Sequence, residues 1–215
     1  MKFDESRREV TFKVIYYGPA LSGKTTNLLK VHDHLPREQR GDLVTLDTHN
    51  DRTLFFDLLP FFLIAPSGLR LKLKAYTVPG QVRYDSTRKA VLSGADGIVF
   101  VADSQLNQQF NNAQSLATLE SNCKALGMGL DKLPMVVQFN KRDLPDVLSE
   151  KEVHERWGQT GIPVLFASAI NDVNALETFV KVCRLVYAYC DEEMHLDKEH
   201  GLPEEAFLKN LGAPV

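Results

Sequence analysis

Short apolar runs recur along the chain at intervals that leave room for helices between them. Glu9-Val-Thr-Phe-Lys-Val-Ile-Tyr-Tyr17 alternates in polarity, is β-branched or aromatic, and meets Gly18 and Pro19, as a strand running into a loop does. Further runs span Leu69 to Val78, Gly97 to Asp103, Met135 to Asn140 and Pro163 to Ala167, the last three nearly continuous. Runs of that kind suit a parallel sheet covered on both faces. Leu28, Leu29 and Val31 fall on one helical face between Lys24 and His34, with Pro36 as the stop. Spacings of three and four also link Leu106, Phe110, Ala113, Leu116 and Ala117, and again Leu176, Phe179, Val180, Cys183, Val186 and Cys190. Strands alternating with helices predict an open, doubly wound α/β sheet, whose ligand sits beyond the carboxyl ends of the strands. Residues 36–60 fit no periodicity and are expected to form a long functional loop.

Composition narrows the classes. With 215 residues, 44% hydrophobic and 25% charged, the chain suits one ordinary globular domain. The most apolar stretch, Leu54 to Ala65, is broken by Asp57 and Pro60 and is too short to span a bilayer. The charged N-terminus has no apolar core for a secretory signal, so a cytoplasmic protein is expected. Cys123, Cys183 and Cys190 lack metal-ligand spacing and read as reduced thiols, the last two facing a core. A net charge of −3 carries no basic footprint for nucleic acid. Residues 191–215 hold seven acids against Lys198 and Lys209, which sets an acidic C-terminal extension apart from a domain over 1–190. Within that extension Pro203 and its following acids could start a helix.

The chemistry concentrates in Gly18-Pro-Ala20-Leu21-Ser22-Gly23-Lys24-Thr25, a full G-x-x-x-x-G-K-[ST] placed between an expected strand and helix. Glycines let backbone N–H groups wrap a phosphate, the helix N-terminus adds positive potential, Lys24 reaches the β/γ oxygens, and Thr25 offers Mg²⁺ a hydroxyl. Thr26 follows in the same first turn. The base remains open between adenine and guanine until Asn140-Lys141-Arg142-Asp143, at the end of an apolar run on the same sheet edge. A carboxylate at Asp143 can accept from both N1–H and the 2-amino group of guanine; adenine presents no such pair. Ser168-Ala169 follows the last strand, where the Ala169 N–H could reach guanine O6.

These three segments in this order resemble the Ras-like small GTPases. Together with Tyr16-Tyr-Gly-Pro19, Asp51-Arg-Thr-Leu-Phe-Phe-Asp57 and Tyr76-Thr-Val-Pro-Gly80-Gln81, they resemble more narrowly the bacterial MglA family of cell-polarity GTPases, over about residues 8 to 190. The resemblance implies a P-loop NTPase with a Ras-like G domain, its mostly parallel sheet flanked by helices. It implies GTP and GDP with Mg²⁺ as ligands, Thr53 closing on metal and γ-phosphate, Gly80 beside the γ-phosphate, Gln81 orienting the attacking water, and Arg52 as an arginine supplied in cis. It also implies a roadblock-fold activating protein of the MglB type, downstream polarity or motility effectors, and recruitment to a cell pole.

Two departures bear on rate. Thr77 stands where most Ras-like chains carry the Mg²⁺-holding Asp, with Asp47, Asp51 or Asp57 as conceivable replacements. Ala20 stands where the family usually has Gly, its methyl facing the space that Arg52 and Gln81 need. The expected outcome is a small GTPase switch that hydrolyses GTP slowly and depends on a partner. A nucleotide-locked scaffold with negligible hydrolysis and an ATP-dependent phosphotransferase are the competing readings.

Overall fold

The computed structural model of the chain describes residues 1–42, 44–46, 56–79 and 85–213. Its strands are β1 Lys2–Asp4, β2 Glu9–Tyr17, β3 Val44–Leu46, β4 Phe56–Ile64, β5 Arg70–Thr77, β6 Gly97–Asp103, β7 Met135–Asn140 and β8 Val164–Phe166. Its helices are α1 Lys24–His34, α2 Asp85–Leu92, α3 Gln109–Ala125, α4 Glu150–Trp157, α5 Ala175–Met194 and α6 Glu204–Asn210. They form one sheet in the order β3-β4-β5-β2-β6-β7-β8, with β1 added antiparallel to the start of β2. β5, β2, β6, β7 and β8 are mutually parallel, whereas β4 runs antiparallel to β3 and β5. The expected mostly parallel α/β sheet is what the chain builds.

Because β6 and β7 are covered on both faces, every residue in them is buried, which explains their unbroken apolar sequence. On one face Val14, Tyr16, Val99 and Val101 pack with α1, α5 and α6; on the other Ile15, Tyr17, Ile98 and Phe100 pack with α3 and α4. Cys183 and Cys190 lie in the first of these cores, as their spacing on α5 predicted, and all three cysteines are free thiols.

Three expectations from periodicity are corrected. Leu29 on α1 points outward; Leu28 and Val31 alone carry the apolar contact. On the α3 face drawn through Leu106, Phe110, Ala113, Leu116 and Ala117, Leu116 alone packs half-buried against the core while the others are exposed, with Phe110 75% accessible, and the helix buries Ser115, Leu119, Asn122 and Cys123. The apolar positions that meet the core are Leu116, Leu119 and Cys123, themselves spaced three and four, so the buried face is rotated from the one through Phe110 and Ala113. The end of the supposed loop over 36–60 is a strand. β4 passes through Pro60, whose missing N–H falls where pairing with β3 has ended and where only a bridge between Arg40 and Phe61 flanks the strand. The Pro60 carbonyl accepts from Gly41 N, and Phe62 N donates to Gln39 O.

Beyond residue 190 the chain continues α5 to Met194 and folds back. Leu196, Leu202, Phe207, Leu208 and Leu211 join the core of α1 and α5. α6 begins directly after Pro203, with Glu204 and Glu205 in its first turn.

Candidate functional site

The ends of β2, β6, β7 and β8 bring four loops together at one edge of the sheet. The first is the stretch from Gly18 to Lys24. Gly18 has φ +149° and Gly23 +97°, and a Cβ on either would lie 2.2 Å from Val101 O or Asn140 Nδ2 respectively. The loop thus approaches β6 and the residue ending β7 more closely than any side chain would allow. Leu21 is left-handed at φ +62° and 88% exposed, while Ser22 is fully buried with its hydroxyl unpaired. Gly23 is the N-cap of α1, so Lys24, exposed Thr25 and half-buried Thr26 form the helix's first turn. This glycine cradle at a helix N-terminus fits a polyphosphate.

Lys24 is buried and donates to the carbonyls of Gly18 (3.0 Å) and Pro19 (2.6 Å). Desolvation, helped by the charge of Arg88 on α2, pushes its ammonium from 10.5 down to about 7. Arg88 is itself buried. Two cations held near one another at the head of a helix favour an anionic ligand.

Asn140, at the end of β7, joins the loops after β7 and β8 to the first. Its Nδ2 donates to Ser22 O at 2.8 Å, and its Oδ1 accepts from Ala169 N at 2.9 Å. The Ala169 N–H, expected to reach guanine O6, is engaged with Asn140 Oδ1. Lys141 takes φ +68°, a left-handed turn that swings the chain so that Asp143 stands exposed at the edge, its Oδ1 accepting from Ser168 Oγ at 2.5 Å. Asp143, Ser168, Asn140 and Ser22 thus form one connected group, although they come from three loops.

Of the expected residues, Gly18, Ala20, Leu21, Ser22, Gly23, Lys24, Thr25, Thr26, Asn140, Lys141, Asp143, Ser168 and Ala169 are described, and all lie at this edge. Arg52, Thr53, Gly80 and Gln81 lie outside the described residues, as do Asp47, Asp51 and the Asp57 side chain. Thr77 is buried at the end of β5. Among the described residues no group of three His, Cys, Asp or Glu side chains could hold a metal. Among the described residues, a cation here fits as a companion of phosphate oxygens, with the Thr25 hydroxyl at hand. Two participants escape the sequence patterns: Arg88, and Asp103 at the end of β6, whose Oδ2 meets Lys141 Nζ at 2.6 Å. The signal for Asp103 was a carboxylate closing an otherwise apolar strand.

Comparison with known proteins gives the arrangement relatives. A Ras family profile matches residues 45–188. The chain is 44% identical to the Mutual gliding-motility protein MglA of Myxococcus xanthus, over 84% of its own length and 93% of the relative's. It is 25% identical to the Ras-related protein RabG2 of Dictyostelium discoideum, over 82% of each chain, and 26% identical to bovine Ras-related protein Rab-3C, over 84% and 72%.

Proposed function

Since the chain belongs to the Ras family, as an MglA-like GTPase that binds GTP and GDP with Mg²⁺ and hydrolyses GTP to GDP, we propose that it is a slow switch controlling bacterial cell polarity and gliding-type motility. The observation that carries the reading is Asn140, whose one side chain ties the phosphate loop to the base loops. Lys24 supplies positive charge to the β/γ oxygens, and Asp143 accepts from guanine. Thr25 and Thr53 would hold Mg²⁺ together with the phosphates, and the ion would supply charge neutralisation on their oxygens. Arg52 neutralises charge on the γ-phosphoryl oxygens as the bond from γ-phosphorus to the bridging oxygen breaks, GDP leaving, and Gln81 aligns the attacking water, an arginine so placed contributing about 10³ to 10⁵ in rate. Loops over residues 36–90 are the switched surface, ordered by the γ-phosphate. A roadblock-fold protein of the MglB type is the activating partner, and the chain is recruited from the cytoplasm to a pole.

Ala20, exposed at the mouth of the phosphate loop, supports slow turnover. A methyl at this loop position would face the reacting phosphate and leave the wrapping N–H groups free. Chromatography of the nucleotide released from purified protein should find GDP or GTP; adenine nucleotide instead would overturn the base assignment. In single-turnover assays Ala20→Gly should speed hydrolysis with GTP affinity little changed, and a rate equal to or below wild type would move the brake to another residue. No turnover with or without a roadblock-fold partner would favour a nucleotide-locked scaffold.

A further inference from the structure

Resting on the guanine-site reading above, we propose that Asp103 is a positioning residue for base recognition that acts through Lys141. Asp103 is the last residue of β6, and its side chain is 6% exposed. The carboxylate has no slack. Oδ2 takes the Lys141 ammonium at 2.6 Å and Oδ1 accepts from Gln105 N at 3.1 Å. The backbone beneath is fixed too, because Asn112 of α3 accepts from Asp103 N at 3.0 Å and donates to Asp103 O at 2.8 Å.

What this anchor holds is the turn carrying Asp143. Lys141 occupies the left-handed region, which a residue with a Cβ enters only when its surroundings demand it. An ammonium pinned to a fixed carboxylate is such a demand, and it acts two residues before the base-reading side chain. A buried ion pair gains little stability over apolar packing. What it supplies is direction. The ammonium also keeps donors beyond the one given to Asp103, so Lys141 can serve both the loop and a ligand at once.

Dissociation of GDP and of inosine diphosphate, which lacks only the 2-amino group, reads the contact of Asp143 directly. Asp103→Asn keeps the size and the acceptor for Gln105 N–H while removing the charge. Loss of one charged hydrogen bond should raise the GDP dissociation rate about tenfold and shrink the preference for GDP over inosine diphosphate by a similar factor. Lys141→Met tests the same contact from the other side should Asp103→Asn fail to fold. The double variant should be scarcely worse than Lys141→Met alone. A lowered melting temperature with an unchanged preference, or fully additive losses, would overturn the positioning role. Asp143→Asn separates the two levels: if it abolishes the preference and Asp103→Asn does not, only the role of Asp103 fails, whereas if neither changes it, the guanine site itself is misassigned.

Discussion

Lys24 is held by two carbonyls of its own loop, yet its surroundings disfavour its charge, burial first and Arg88 second. The carbonyls satisfy hydrogen bonds but bring no countercharge; a bound diphosphate would. A lysine whose folded pKa of about 7 lies below its ordinary 10.5 binds fewer protons folded than unfolded between those values. The nucleotide-free protein should therefore carry the full penalty below pH 7 and gain stability as pH rises from 7 towards 10.5. Binding of GDP reverses the shift, so at pH 8 it should take up close to one proton, and near pH 6 almost none. Calorimetry in two buffers of different ionisation enthalpy measures this. A binding enthalpy independent of buffer at pH 8 would show that the ammonium is already charged in the free protein.

Between elements the decisive contact is Gln138 in the middle of β7. Fully buried, it donates to Asn27 Oδ1 on α1 and to Thr178 Oγ1 on α5, each at 2.8 Å. Asn27 in turn donates to Gly23 O, the N-cap of α1. Gln138→Leu should destabilise by about 1–3 kcal/mol in a urea melt, because it leaves Asn27 Oδ1 buried without a partner, and adding Asn27→Leu should recover part of the loss. An unchanged midpoint in the single variant would mean that another group satisfies Asn27. This network was invisible in the sequence, since Met135-Val-Val-Gln-Phe-Asn140 reads simply as an apolar run. By contrast β2, β6 and β7 were legible to the residue, β6 and β7 because burial on both faces leaves an unbroken apolar run and β2 because its first half alternates before it runs into Gly18. The failures share a cause. α3 buries Ser115 and Asn122, which no hydrophobic stripe marks, and β4 pairs along a partner strand whose alignment its own residues do not announce. The meeting of the glycine-rich loop with the turns at Asn140 and Ser168 was legible because motifs of fixed residue types mark all three, whereas Asp103 and Arg88 act across tertiary contacts.

At the scale of the molecule, the acidic stretch from Asp191 to Ala213 binds together parts that are far apart in sequence. Tyr187 Oη donates to Leu202 O at 2.7 Å, Gln39 Nε2 donates to Asn210 Oδ1 at 2.6 Å, and His200 Nδ1 meets Ser67 Oγ at 2.9 Å. These contacts tie α5 and the C-terminal stretch to the segment after α1 and to the turn between β4 and β5, both of which lie within residues 36–90. Phe207 is the centre of the arrangement, 1% exposed and 5.3 Å from the ring of Tyr187. Since the acids face solvent while the apolar side chains face the core, net charge says little about what the stretch contributes. Phe207→Ala should cost about 3–5 kcal/mol of unfolding free energy, as the loss of a buried aromatic does. The nucleotide loops lie at the other end of α1, so GDP affinity measured on the folded fraction should stay within a few-fold of wild type. If thermal unfolding of the GDP-bound protein were unchanged, the C-terminal stretch would be an appendage; if GDP affinity fell in proportion to stability, the restraint on the 36–90 segment would reach the nucleotide itself.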